Sequence, residues 1–299
     1  LQFIAKLPFT LTSAQDRVTK EILADLQKSI PSNRLLEGDV GSGKTVVAAI
    51  AMYMAFLNGY ESALMAPTEI LAQQHYQTVS ALLCPLGVKI NLLTSSTKKP
   101  DNSNFDILIG THSLLYDNAI FTKLALVVID EQHRFGVEQR AVLWGKGNNP
   151  HLLTMTATPI PRTIALAVYG DMDLSYLDEM PIGRQKIKTW VVPNEKRESA
   201  NEWLKKQLKD NNDQCFVICP LIEESENLVT IKAAKAEFNR IKENFSAFRV
   251  GLLHGKLNSK EKTAVIDKFR QHELDILVST PVVEVGIDIS NAAVMFIEG

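Results

Sequence analysis

Leu35-Leu36-Glu37-Gly38-Asp39-Val40-Gly41-Ser42-Gly43-Lys44-Thr45 is the stretch that decides the fold. Two apolar residues close a predicted strand, and Gly38 to Thr45 then fits GxxxxGK[ST] at every fixed position. The residues from Thr45 to Leu57 follow as a predicted apolar helix. Strand, glycine-rich loop and helix in that order are the context the motif needs, and with eight positions and the right flanks they outweigh a chance glycine-rich turn. Glycines let the loop curl so that backbone N–H groups point inward, and the helix N-terminus adds partial positive charge. On this reading Gly38, Asp39, Val40, Gly41, Ser42 and Gly43 cradle phosphates, Lys44 reaches the β and γ phosphates, and the Thr45 hydroxyl ligates Mg²⁺.

Outward from the loop, further apolar runs of strand length appear at Ser62 to Met65, Asp106 to Ile109, Leu124 to Ile129 and Leu152 to Met155. Most are continuous rather than alternating, as in parallel strands covered on both faces. Helical patterns separate them at Glu69 to Leu83 and Thr163 to Tyr169. A second series then starts, with strands predicted at Thr189 to Val192, Cys215 to Cys219, Val250 to Leu253, Asp275 to Val278 and Ala293 to Ile297. Its helices run from Glu195 to Leu208, with Ala200, Trp203, Leu204 and Leu208 on one face, and from Ser259 to Gln271, opened by Asn258 and Glu261 as a capping box. Two βαβ series imply an α/β chain of two doubly wound lobes. The breakers Pro181 and Gly183 put the boundary between residues 183 and 184.

Val127-Val128-Ile129-Asp130-Glu131-Gln132-His133 is an apolar strand ending in two carboxylates. Strand ends are where open α/β sheets place their ligands. Here Asp130 holds Mg²⁺ through water, and Glu131 orients and deprotonates the attacking water. An isolated Asp-Glu pair is more often a solvated helix start. This pair gains its meaning from the complete phosphate loop upstream and the all-apolar strand directly before it. His133 completes a DExH box, where the other reading is an incidental histidine.

Composition fits this picture without carrying it. The 299 residues exceed one ordinary domain, and 45% hydrophobic with 22% charged residues is usual for a globular chain. No apolar run approaches the ~18 residues that a membrane span needs, so no membrane partner is expected. The net charge of −2 lacks the basic bias common in nucleic-acid binders, so such binding has to rest on local backbone and polar groups. Cys84, Cys215 and Cys219 form no CxxC pair, which argues against a disulfide framework or zinc site and for a reducing cytoplasm. The start at Leu1 is not a signal peptide and reads as part of a longer protein. Phe9, Phe135 and Trp144 read as core rather than base-stacking aromatics.

Six segments together resemble superfamily-2 helicases, in the family's order. The phosphate loop is similar to motif I, Ala66-Pro67-Thr68-Glu69 to motif Ia, Gly110-Thr111-His112 to motif Ib, and Asp130-Glu131-Gln132-His133 to motif II. Thr156-Ala157-Thr158-Pro159 is similar to motif III, and Ser279-Thr280 through Gly286-Ile287-Asp288 to motif V. The longer runs Asp130 to Val137 and Met155 to Thr163, with Leu36 to Thr45, resemble the RecG branch of bacterial branched-DNA helicases. The resemblance implies two tandem RecA-like lobes, 1–183 and 184–299, the second truncated. It implies ATP and Mg²⁺ as ligands, branched DNA bound through its backbone, and a monomeric cytoplasmic protein.

Site roles follow from the same resemblance. Gln15 is the adenine-reading glutamine, although a surface glutamine in a capped helix start accounts for the same residues. Thr156, Thr158 and Arg162 couple hydrolysis to lobe movement. Pro67, Thr68, Gly110, Thr111, His254, Gly255 and Thr280 contact strand backbone, and each could equally serve as a loop cap. Gly286 and Asp288 face the nucleotide from the second lobe. A motif VI with trans-acting arginines is expected after Ile297, and no arginine lies beyond Arg270, so the chain is expected to bind ATP–Mg²⁺ and hydrolyse it poorly. Close alternatives are a transcription-repair coupling translocase and a motor core that binds nucleotide as a scaffold. A single-lobed P-loop kinase or GTPase is disfavoured by the second βαβ series.

Overall fold

The computed structural model describes residues 3–4, 7–95, 105–115, 120–131, 145–147, 149–158, 172–181, 187–219, 227–280, 289 and 291–298. The chain divides into two compact units, Leu1–Gln185 and Lys186–Gly299. The expected helix Thr163 to Tyr169, together with Phe135 and Trp144, lies outside the described residues.

In the first unit α1 (Ser13–Asp25) precedes β1 (Asn33–Gly38), α2 (Lys44–Leu57), β2 (Glu61–Met65), α3 (Glu69–Leu83), β3 (Ile90–Leu93), β4 (Ile107–Gly110), β5 (Leu124–Asp130), β6 (His151–Thr156) and β7 (Asp173–Leu177). The seven strands form one sheet in the order β3-β4-β2-β5-β6-β1-β7. Every neighbouring pair is parallel. The continuous apolar runs are explained by side chains alternating between two buried faces. Leu64, Ile107, Ile109, Leu126, Val128 and Met155 pack with Val47, Ile50 and Met52 of α2 and Val18 and Ile22 of α1. Their neighbours Ala63, Met65, Leu108, Val127, Ile129 and Leu152 form a second cluster with Phe105 and Leu114. Helix α2 is buried along most of its circumference, from Val47 through Met52 and again at Ala55, which accounts for its lack of a polar stripe.

The second unit runs α4 (Arg197–Asp210), β8 (Cys215–Ile218), α5 (Asn227–Asn244), β9 (Val250–Leu253), α6 (Ser259–Arg270), β10 (Ile276–Ser279) and β11 (Val294–Ile297). Its sheet is parallel in the order β11-β8-β10-β9. Leu204 and Leu208 of α4 and Ile241 and Phe245 of α5 pack on Cys215, Val217, Ile276 and Val278. Burial pushes the Cys215 thiol up to about 12, so it behaves as a small apolar group. On α6, Asn258 accepts from Glu261 N at 2.9 Å while the Glu261 carboxylate accepts from Asn258 N at 2.9 Å, a complete capping box.

Some expectations need correction. Thr189 to Val192 is not a strand. A strand exists only within a ladder, and none of the described strands pairs with it; Val191 is 96% exposed. The following helix starts at Arg197 rather than Glu195, after a short 3-10 turn over Asn194–Lys196. Trp203 is 41% exposed and meets Trp190 edge-on, with ring centroids 6.2 Å apart. Phe9 is exposed rather than core. Strands β3 and β7 and helix α5 were not anticipated. Among the described residues no helix is long and apolar enough to cross a membrane.

Candidate active site

The phosphate loop leaves β1 at Gly38 and enters α2 at Lys44. Gly41 and Gly43 have φ of 78° and 90°, the left-handed region that glycine adopts without penalty. Gly43 is the N-cap of α2, and no side chain caps it. The loop closes on itself instead, with Ser42 N donating to Asp39 O at 3.1 Å and Val46 N to Gly43 O at 3.0 Å. The Lys44 ammonium donates to the carbonyls of Gly38 at 2.6 Å and Asp39 at 3.0 Å, which holds it over its own loop.

Gln15 braces this loop from behind. Its Nε2 donates to Ser42 O at 2.8 Å, and its Oε1 accepts from Thr12 N at 3.0 Å within the capping box of α1. The side chain is buried, and a Cβ added to Gly43 would stand 2.2 Å from Gln15 Nε2. The glutamine singled out as an adenine reader also supports the loop.

The order β5-β6-β1 sets the rest of the geometry. β6 lies between the loop strand and the acidic strand, with Thr156 in register with Glu37 and Met155 with Asp130. Asp130 ends β5 and is buried; its Oδ2 stands 2.7 Å from His75 Nε2 of α3. Glu131 follows with φ of 53°, an uncommon conformation for a non-glycine residue. Glu131 N donates to Met155 O at 2.9 Å, and its Oε1 accepts from Ala157 N at 3.3 Å. The hydroxyls of Thr156 and Thr158 are 2.8 Å apart, and Thr158 N donates to Thr156 Oγ1 at 3.2 Å. The segments singled out as motifs II and III are therefore joined by direct hydrogen bonds.

The donor set suits Mg²⁺. The Asp130 carboxylate and the Thr45 hydroxyl would offer hard oxygens, and Mg²⁺ commonly takes one or two such protein ligands beside phosphate and water. Gly38 has no room for a side chain: an added Cβ would lie 2.6 Å from Ser42 Oγ and 2.8 Å from Leu177 Cβ.

The candidate strand-contact residues gather at carboxyl ends of neighbouring strands. Met65 of β2 and Gly110 of β4 are in register, and Ala66 N donates to Gly110 O at 2.8 Å, which brings Pro67 and Thr68 beside Thr111. Thr68 is also the N-cap of α3, accepting from Leu71 N at 3.4 Å. Thr111 is buried, its N donating to Leu93 O at 3.3 Å and its O accepting from Leu114 N at 3.0 Å. In the second unit Leu253 and Ser279 are in register, and Thr280 N donates to Leu253 O at 3.3 Å, which sets Thr280 beside His254 and Gly255. His133, Arg162, Gly286 and Asp288 lie outside the described residues.

Sequence reading missed His75. The available signal was its place in the every-fourth-residue stripe Leu71, His75, Val79, Leu83, where one imidazole stands among apolar side chains.

Comparison with known proteins agrees with this geometry. The DEAD/DEAH box helicase family matches residues 12–167, and the helicase conserved C-terminal domain matches residues 196–299. The chain is 50% identical over 99% of its length to ATP-dependent DNA helicase RecG of Synechocystis sp. and covers 37% of that protein. It is 49% identical to RecG of Bacillus subtilis, again over 99% of its length, covering 45% of that protein. The chain therefore spans less than half the length of these relatives. A structure of RecG bound to a three-way DNA junction superposes with a TM-score of 0.80 at 40% identity, covering 98% of this chain and 39% of that one. The DEAD-box helicase Mss116 bound to single-stranded RNA matches with a TM-score of 0.77 at 21% identity over 100% of this chain and 66% of that one, a likeness of fold. Two parallel α/β units with these matches, the first over more than half of the sequence, mean that the chain belongs to the DEAD/DEAH box helicase family.

Proposed function

We propose that the chain is the motor core of an ATP-dependent DNA helicase of the RecG type, acting on branched DNA such as replication forks and Holliday junctions in recombination and repair. The DNA substrate rests on the likeness to RecG; the motor reading is carried by the bond from Ala157 N to Glu131 Oε1, 3.3 Å long, because it ties the acidic strand end to the Thr156–Thr158 segment beside the phosphate loop. Residues 1–183 act as the nucleotide-binding lobe and 184–299 as its partner lobe. The loop amides and Lys44 bind the ATP phosphates. Thr45 and Asp130 hold Mg²⁺, which supplies charge neutralisation on the β and γ phosphates when bound. Glu131 orients the attacking water and takes its proton, with His133 completing the box. Thr156, Thr158 and Arg162 pass the resulting change to the DNA-contacting segments. Gly286 and Asp288 are further ATP-binding residues on this reading. Pro67, Thr68, Gly110, Thr111, His254, Gly255 and Thr280 bind DNA backbone through amides and short polar groups, without reading sequence. The setting is a monomeric cytoplasmic protein.

The test is ATP turnover of the full-length protein with and without fork DNA, beside Glu131→Gln. Fork DNA is expected to stimulate turnover, and Glu131→Gln to lower it by roughly 10² to 10⁴ while ATP binding persists. Undiminished turnover in Glu131→Gln, or turnover indifferent to any DNA, would refute the reading.

A further inference from the structure

We propose that His75 is a positioning residue that fixes the rotamer of Asp130 and thereby sets the affinity of the Mg²⁺ site. This rests on the proposed function, in which Asp130 holds the metal. His75 sits one turn after Leu71 and one before Val79 on the buried stripe of α3, and is 5% exposed. An imidazole at such a place is costly unless hydrogen-bonded. Its bond runs to Asp130 Oδ2, 55 residues away in sequence, at 2.7 Å. In the tautomer with the proton on Nε2, His75 donates and the Asp130 carboxylate accepts. The length is that of a charge-assisted bond.

The consequence is geometric. Asp130 ends a strand and is itself 8% exposed, so it has little solvent to orient it. With Oδ2 held by His75, Oδ1 remains for the water shell of the metal. The bond also joins α3 to β5, and α3 begins at Thr68 in the candidate strand-contact segment. Outer-shell partners of this kind change metal affinity by about 10- to 100-fold when removed.

The reach of the donor gives the test, in the full-length protein. His75→Leu keeps an apolar stripe and removes the donor. His75→Gln places an amide nitrogen near the position of Nε2, whereas His75→Asn carries a shorter amide that falls short of it. Two quantities are read: the Mg²⁺ concentration for half-maximal ATP turnover, and Mn²⁺ binding by electron paramagnetic resonance with a non-hydrolysable ATP analogue. His75→Leu and His75→Asn are expected to shift both by about 10- to 100-fold. His75→Gln is expected to stay near the wild-type values, and metal-free ATP affinity to be unchanged in all three. Asp130→Asn is run in parallel. Normal metal dependence in Asp130→Asn sinks the metal-site reading and this inference with it. Normal metal dependence in His75→Leu beside a defective Asp130→Asn overturns the inference alone, as does equal behaviour of the Gln and Asn variants.

Discussion

Gly43→Ala isolates what the brace between Gln15 and the phosphate loop contributes. Gly43 has φ of 90°, and an added Cβ would stand 2.2 Å from Gln15 Nε2. The left-handed backbone costs an L-residue about 1–2 kcal/mol. The overlap forces Gln15 to leave a buried place where it makes two bonds, to Ser42 O at 2.8 Å and from Thr12 N at 3.0 Å. At about 1 kcal/mol for each bond, displacement adds about 2 kcal/mol. The expected total for Gly43→Ala is about 3–4 kcal/mol against the first unit. In a Gln15→Ala background the overlap is gone, and only the backbone cost of about 1–2 kcal/mol remains. The double-mutant cycle should therefore show a coupling of about 2 kcal/mol. Urea unfolding followed by the fluorescence of Trp144 in a Trp190→Phe/Trp203→Phe background reports on the first unit, since Trp144 is its only tryptophan. Additive single-mutant effects would refute the reasoning, because they would mean that Gln15 yields to the new methyl at no cost.

Other outcomes follow from the second unit. Asn258→Ala should cost about 1 kcal/mol of its stability by removing half of the capping box on α6, read as a lower urea midpoint with an unchanged slope. Glu237 gives a pH dependence. Burial and the neighbouring Glu298 charge, against the pull of Arg197, push its carboxyl up to about 7. The folded state therefore holds the proton more tightly than the unfolded one; the stability is full below the unfolded pKa and is lost as pH rises through about 7. Glu237→Gln should flatten the slope between pH 5 and about 7.5 in thermal melts of the second unit.

How much was legible depended on how local each signal was. The phosphate loop, helix α3 and the capping box at Asn258 are written in contiguous residues and were readable. The buried strands were readable because both their faces are covered, which makes Val127-Val128-Ile129 a continuous run. Strands β3 and β7 sit at the two edges of the seven-stranded sheet, where partial exposure mixes Asn91 and Asp173 into the pattern and weakens it. Thr189 to Val192 misled for the opposite reason: β-branched and aromatic residues fit a ladder, but pairing is decided by partners and not by propensity. The bonds from Gln15 to Ser42 and from His75 to Asp130 join residues 27 and 55 positions apart. No spacing rule reaches that far.

The backbone at Glu131 shows why the acidic pair needs more than its sequence. In an extended strand successive side chains face opposite sides of the sheet, so β5 continued by one residue would turn Glu131 away from the face that carries Asp130. The chain leaves the strand conformation there, at φ of 53°. That conformation costs about 1–2 kcal/mol for a residue with a Cβ, and the surroundings hold it: Glu131 N donates to Met155 O, and Oε1 takes the amide of Ala157. Both partners lie on β6 or directly after it, and β6 stands between β5 and the strand of the phosphate loop. The strained residue is thus held by the segment that also carries the paired hydroxyls of Thr156 and Thr158. Any shift of Ala157 must change either the bond to Glu131 or the backbone that aims its carboxylate. The sheet order is what makes Glu131 and the Thr156–Thr158 segment answer to each other.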